Sequence, residues 1–508
     1  MLEGLELTPA PAGAAGLHID ADAASRIHRK ADPSYYIETY GCQMNEHDSE
    51  VMAGILEQMG YRRVPELEAA DLILFNTCAI REHAVERTLG RMAALKRLKY
   101  VKPEVVLGVG GCLPQQEGAV ERIKKRAPHL DLVFGTHNLY RLPRLLESVQ
   151  TSEYPVVEVW DAEGEVIENL PAVRPEGVKA WVTIAYGCDK KCTYCVVPYT
   201  RGRERSRRPG EIVEEVRGLA AQGYREVTLL GQNVNSYGKD FAPAAYDFGD
   251  LLLDLDRIDG LERVRFMTSH PRDFTRKMVD AIAQSRVVCE QFHLPVQSGS
   301  NRTLKRMLRG YTREKYLDLV RYVRDRVPNA VITTDIIVGF PGETEEEFQE
   351  TLSLLREVEF DSAYTFSFST REGTPAARMK GHLSEEVKKD RLNRLMEVQN
   401  EISRRKMMAA VGTTVEVLVE GPSDKNPRVL SGRDRGGRLV LFEGPALSES
   451  DAGGPAAAGT TLKGAESLIG QLVPVRITHA NTWTLHGVRE EDVRRPGGSR
   501  LAIKGVSA

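Results

Sequence analysis

Gly187-Cys188-Asp189-Lys190-Lys191-Cys192-Thr193-Tyr194-Cys195 follows Trp181-Val182-Thr183-Ile184-Ala185-Tyr186, an apolar run with the length and β-branched content of a buried strand. Three thiols at C-x3-C-x2-C spacing therefore share one tight loop just after a strand. Downstream the rhythm repeats. Glu226–Leu230, Val264–Thr268, Gln291–Pro295, Val331–Val338 and Ser362–Phe368 are further strand candidates, separated by helical patterns. Six βα units predict a partial (βα)6 barrel over residues 176–408, closed by the long charged helix Glu385–Met408. In such a barrel the chemistry gathers at the C-terminal ends of the strands, where the cysteine loop lies.

Upstream, residues 34–150 show a related pattern. Tyr35–Tyr40 ends at Gly41-Cys42, Asp71–Phe75 at Asn76-Thr77-Cys78, Glu104–Val109 at Gly110-Gly111-Cys112, and Leu132–Phe134 at Gly135-Thr136. Helical stretches follow the first three, which predicts an α/β multidomain protein whose N-terminal domain is a parallel sheet. Cys42, Cys78 and Cys112 fall at strand-to-helix junctions, along the sheet edge that usually forms the ligand crevice. Residues 1–33 read as a disordered extension and 151–175, acidic and Pro-containing, as a linker. Beyond residue 408 the period changes to two. Thr413–Glu420, Arg438–Phe442 and Leu472–Thr478 predict a small antiparallel β-barrel over 409–488. A Gly/Ala-rich loop, Asp451–Thr460, interrupts it, and residues 489–508 read as a disordered charged tail.

The 508 residues carry a net charge of −3, which excludes a wholly basic coat but allows local basic patches. No run approaches the ~20 apolar residues of a membrane helix. Residues 1–17 lack the basic start and apolar stretch of a signal peptide, so the expected compartment is the cytoplasm. The seven cysteines are odd in number and too scattered to staple the chain, which points to metal binding or catalysis.

Cys188, Cys192 and Cys195 suit three irons of a [4Fe-4S] cubane, with one iron left open to bind and polarise a small molecule. The competing fit is zinc, which would draw a further ligand from His270 or His293. Cys42, Cys78 and Cys112 fit a second cluster, again one ligand short, or three core cysteines. Cys289, alone in a strand pattern, reads as core.

The cysteine loop, with Tyr194 before its last Cys and a partial barrel behind it, resembles the radical-SAM superfamily. With the three N-terminal cysteines and a terminal barrel similar to TRAM domains (Ser431-Gly432-Arg433-Asp434, Leu439–Gly444), the chain from Ser34 to Val488 resembles the methylthiotransferases. Within them, Cys188–Arg203 with its Val196-Val197-Pro198-Tyr199-Thr200-Arg201-Gly202 run, Thr39–Asn45 and Asn76–Glu82 look most like the MiaB branch. That resemblance implies methylthiolation of C2 of N6-dimethylallyladenosine beside a tRNA anticodon. It implies two [4Fe-4S] clusters: a radical-generating one on Cys188, Cys192 and Cys195, and an auxiliary, sulfur-supplying one on Cys42, Cys78 and Cys112. S-adenosylmethionine would serve as both methyl donor and radical source, an electron donor such as flavodoxin or ferredoxin would supply electrons, and the enzyme would act as a monomer. Other branches act on threonylcarbamoyl-adenosine tRNA or a ribosomal-protein aspartate. A non-catalytic iron–sulfur RNA-binding protein is the alternative of another class.

Cofactor-pocket candidates are Tyr194, Gly231-Gln232-Asn233 after the second barrel strand, Gln297-Ser298 after the fourth, and Asp335 on the fifth. Arg201, Arg203, Arg205, Arg207 and Arg208 follow the cysteine loop and are the RNA-binding candidates. A second basic set, Arg302, Lys305, Arg306, Arg309 and Arg313, fits either RNA or a solvated helix face.

Overall fold

A computed structural model describes residues 32–79, 82–160, 162–241, 246–444 and 466–493. The Asp451–Thr460 loop, the tail beyond residue 493, nearly all of the N-terminal extension, and Ile80-Arg81 of the Asn76–Glu82 motif lie outside the described residues.

The N-terminal domain is a six-stranded, all-parallel sheet. Its strands are β1 (Ser34–Thr39), β2 (Arg62–Arg63), β3 (Leu72–Thr77), β4 (Val106–Gly111), β5 (Leu132–Phe134) and β6 (Val156–Glu158). They lie in the order β2-β1-β3-β4-β5-β6. Helices Gln43–Gln58 and Leu142–Thr151 bury one face, and Glu82–Ala94 and Ala119–Arg126 the other. The chain runs outward in opposite directions from the β1–β3 junction, the switch point at which an open α/β sheet leaves its crevice. Strand β6 corrects the linker expectation, because Val156 and Val157 pair with Leu132 and Val133. Three residues are too short for any alternation to register in the sequence.

The middle domain has strands β7 (Lys179–Thr183), β10 (Glu226–Leu230), β11 (Arg263–Phe266), β12 (Gln291–His293), β13 (Val331–Val338) and β14 (Ser362–Ser367), with the short β8 (Ala185–Tyr186) and β9 (Arg205–Ser206). Two parallel sheets, β11-β10-β7 and β12-β13-β14, are joined by a bridge between Val264 and Val288. Val227, Leu229, Phe292, Ile332 and Ile336 point into the core with the surrounding helices, including Leu395 and Ile402 of Glu385–Ala409. His293, Thr333, Asp335 and Tyr364 share the opposite face, which is the lumen.

The C-terminal domain is a closed barrel, β15 (Thr414–Ser423), β16 (Asn426–Asp434), β17 (Leu439–Glu443), β18 (Leu472–Ala480) and β19 (Thr484–Arg489), in the order β15-β16-β17-β19-β18. All of its pairs are antiparallel except β17–β19. The tail expectation needs correction at its start. Buried Arg489 bonds Glu491 and Asp492, which anchors a short helix over Glu490–Val493. This barrel docks against the N-terminal ends of the middle strands. Arg263 donates to the carbonyls of Arg433 and Glu416, and Arg265 to those of Asp434 and Arg435. The cysteine loop is thus left clear at the other end. Among the described residues no helix is long and apolar enough to cross a membrane.

Candidate active site

The cysteine loop is clamped at its base, where β8 pairs antiparallel with β9. Gly187 makes the turn at φ +75°, and a Cβ there would lie 2.0 Å from the Arg203 carbonyl oxygen, so no side chain fits. The Cys188 amide donates to Gly202 O (3.0 Å) and the Cys195 amide to Cys192 O (3.0 Å), which holds the loop in a tight turn. Lys190, on the loop, pairs with Asp273 at 2.7 Å. Burial pushes the Cys188 thiol up to about 12 and the Cys195 thiol up to about 11. Three soft donors on one loop fit three corners of an iron–sulfur cubane. Of the two zinc candidates, His293 meets Thr333 and Asp335 in the lumen, while His270 accepts the Arg272 amide at Nδ1 and leaves Nε2 buried without a partner.

Cys42, Cys78 and Cys112 follow β1, β3 and β4, three neighbouring strands, and so are gathered at the switch point. Gly111 (φ +94°) leads into Cys112 where a Cβ would lie 2.5 Å from Asn76 Oδ1. Cys42 Sγ lies 3.7 Å and Cys112 Sγ 3.9 Å from one atom, Asn45 Oδ1. A Cβ added at Gly41 would be 2.9 Å from Cys78 Cβ, so the third cysteine closes the same group. Burial pushes Cys112 up to about 12. A merely structural trio has no need of a buried cation, yet Arg201 supplies one. Its Nε lies 3.3 Å from Cys112 Sγ, and its Nη2 donates to Asn45 Oδ1 (3.0 Å) and Asp48 Oδ2 (2.6 Å).

The basic run after the loop therefore needs correction. Arg201 and Arg207 are buried, and Arg207 donates to Glu168, Glu215 and the Thr183 carbonyl. Arg205 is half-buried, donating to the carbonyls of Gly164 and Arg201. Arg203 and Arg208 alone of the five are exposed. In the second set Arg309 is buried beside the other cysteine group, with Nη1 3.2 Å from Cys192 Sγ and 3.3 Å from Tyr194 Oη. Arg306 and Arg313 bond Glu347 and Glu357, while Arg302 and Lys305 are exposed. Arginines over buried thiols were missed as such because a charge run carries no sign of which members turn inward.

The cofactor candidates divide. Asn233 is buried, its Nδ2 bonded to Asp273 and Ser236 while Oδ1 is buried without a partner. An orphaned acceptor beside the cysteine loop fits an ammonium donor such as the amino group of S-adenosylmethionine. Gln232 receives the Gly187 amide and so supports the loop, and Gly231 packs closely against the Ala185 carbonyl. Gln297 uses its backbone, at φ +73°, to pair with Asp335 and Ile337. Ser298 is buried against Thr351 and the Ser300 amide, which corrects its expected reach toward ribose. Asp335 faces the lumen 3.4 Å from His293 Nε2. The Tyr194 ring meets Phe340 edge-on at 6.5 Å.

Comparison with known proteins agrees with these three domains. Residues 34–135 match the Uncharacterized protein family UPF0004, 182–355 the Radical SAM superfamily, and 409–488 the TRAM domain. The tRNA-2-methylthio-N(6)-dimethylallyladenosine synthase of Symbiobacterium thermophilum is 56% identical over 479 residues, covering 93% of this chain and 98% of that protein. The synthase of the same name from Bacillus subtilis is 54% identical over 453 residues, 89% of this chain and 85% of its own. Among solved structures, the radical S-adenosylmethionine methyltransferase TsrM from Kitasatospora setae, with cobalamin and a [4Fe-4S] cluster bound, aligns at a TM-score of 0.51. It covers 68% of this chain and 77% of that one, and at 15% identity it speaks to the fold alone. Identity above one half, sustained across nearly the whole chain and all three domains, shows that the chain belongs to the family of tRNA-2-methylthio-N(6)-dimethylallyladenosine synthases.

Proposed function

We propose that this protein methylthiolates C2 of N6-dimethylallyladenosine beside the anticodon of tRNA, with two [4Fe-4S] clusters and S-adenosylmethionine. Cys188, Cys192 and Cys195 would hold the radical-generating cluster, and Cys42, Cys78 and Cys112 the auxiliary one. When bound, these groups supply one-electron cleavage of S-adenosylmethionine, the methyl group and the sulfur. The observation that carries the two-cluster reading is Arg201. It follows the last loop cysteine closely in sequence, yet touches Cys112 of the other domain, so the segment just after the loop abuts the second thiol group.

The chain's own residues have distinct tasks. Asn233 Oδ1 accepts the amino group of S-adenosylmethionine, while Asp273 holds the Asn233 amide nitrogen and the loop's Lys190. Gln232 fixes the turn at Gly187. Tyr364 and Phe366, exposed on β14, offer ring faces on which an unstacked adenine can rest. A base in a looped anticodon arm leaves its stack cheaply. Arg203 and Arg208 meet phosphates. Further parts of this reading are a flavodoxin- or ferredoxin-type donor, a monomeric enzyme and a cytoplasmic location.

The test is anaerobic reconstitution followed by incubation with S-adenosylmethionine, a reductant and tRNA bearing dimethylallyladenosine. Nucleoside mass spectrometry is expected to show gain of one methylthio group. Full cluster loading with no gain, or modification of a ribosomal-protein aspartate instead, sinks the proposal.

A further inference from the structure

Arg201 does more than join two domains. It lies 5% exposed at the seam, and its amide bonds to Val197 O (2.8 Å), at the end of the short helix Val197–Thr200 that begins two residues after Cys195. Its guanidinium reaches away from that loop to Cys112 Sγ (3.3 Å), Asn45 Oδ1 (3.0 Å) and Asp48 Oδ2 (2.6 Å). A guanidinium stays protonated at any physiological pH, and the Asp48 carboxylate compensates its burial here. The group therefore presents a fixed N–H to a cysteine sulfur, both partners being buried.

We infer that Arg201 is a positioning residue that holds up the reduction potential of the auxiliary cluster through an N–H···S hydrogen bond to Cys112. The inference rests on the two-cluster reading. A hydrogen bond to a ligating sulfur draws electron density from the cluster and stabilises its reduced form, which raises the potential. Asp48 works in the opposite direction, because its carboxylate offsets the positive charge close to the same sulfur. Removing the two partners should thus shift the potential with opposite signs. A residue that merely glued the seam would give no signed pair of shifts. Arg309 stands in the same relation to Cys192, at 3.2 Å, and serves as an internal control because it faces the other thiol group.

The experiment uses the full-length chain with Cys188, Cys192 and Cys195 all changed to Ala, so that any cluster formed is the auxiliary one. Iron and sulfide are assayed after anaerobic reconstitution, and the midpoint is read by redox titration followed by electron paramagnetic resonance. In that background Arg201→Gln is expected to lower the midpoint by about tenfold in equilibrium constant, ~59 mV for one electron. Arg201→Lys, which keeps the charge without the planar fork, should fall between Gln and the parent. Asp48→Asn should raise the midpoint, and Arg309→Gln should leave it in place. A midpoint within twofold of the parent in a fully loaded Arg201→Gln protein overturns the inference. So does loss of iron from both the Gln and Lys variants, which would make the role structural. Absence of iron from the parent itself removes the two-cluster reading, and this inference with it.

Discussion

The two cysteine groups reach a similar arrangement by opposite routes. Cys188, Cys192 and Cys195 sit within one clamped loop, and their proximity follows from chain connectivity. Cys42, Cys78 and Cys112 are brought together only by the register of three parallel strands. The loop set needs one turn to be right, whereas the assembled set needs a whole sheet and then a lid, Arg201, from the next domain. Robustness to perturbation should differ accordingly.

The largest expected effect separates the groups chemically. Cys192→Ala should abolish both 5′-deoxyadenosine and methylthio product, whereas Cys42→Ala should abolish the methylthio product and leave 5′-deoxyadenosine measurable by chromatography. If Cys42→Ala also removes 5′-deoxyadenosine, the division of labour fails. Next comes the glycine that turns the chain into the cysteine loop, with a control glycine away from both groups. Gly187→Ala places a Cβ 2.0 Å from a backbone oxygen in left-handed backbone, and should lower stability by several kcal/mol in urea titration. Gly118→Ala, also at positive φ but in open space beside neither cysteine group, should cost no more than ~1–2 kcal/mol. Similar losses at the two positions would refute the steric account.

A smaller effect probes the seam. Burial raises the Glu215 carboxyl, but Arg207, His47 and Arg174 outweigh it and hold it below its ordinary value of 4.5. A depressed folded value means that the contribution is present above pH 4.5 and withdrawn as pH falls through the folded value. Glu215→Gln should therefore lower the unfolding free energy read from urea titration at pH 7 by about 1–3 kcal/mol, since Arg207 keeps Glu168, and the difference should shrink on acidification below pH 4.5. A difference that persists unchanged at low pH would rule out this carboxylate. The smallest effect lies at the surface. Arg203→Ala and Arg208→Ala should each weaken tRNA binding modestly and reduce the slope of log affinity against log salt by about 0.7–0.9. An unchanged slope places the RNA elsewhere.

Much of this was legible along the chain because it is local. The barrel strands Glu226–Leu230 and Val331–Val338 match their apolar runs to the residue, and the C-x3-C-x2-C loop needs no distant partner. Strand-end positions likewise announced Cys42, Cys78 and Cys112 as residents of one sheet edge, since a βα rhythm determines which end of each strand meets the crevice. What no local pattern carried was the direction of a charged side chain. Five arginines between residues 201 and 208 look alike in sequence, yet Arg201 and Arg207 turn inward to Asp48, Glu168 and Glu215 while Arg203 and Arg208 stay in water. Burying a guanidinium is tolerable only where carboxylates and carbonyls from other segments converge to receive it. The chain by itself determined the donors and their two spacings. The tertiary structure decided which cation faces which thiol, because that balance of desolvation and pairing is summed over residues far apart in sequence.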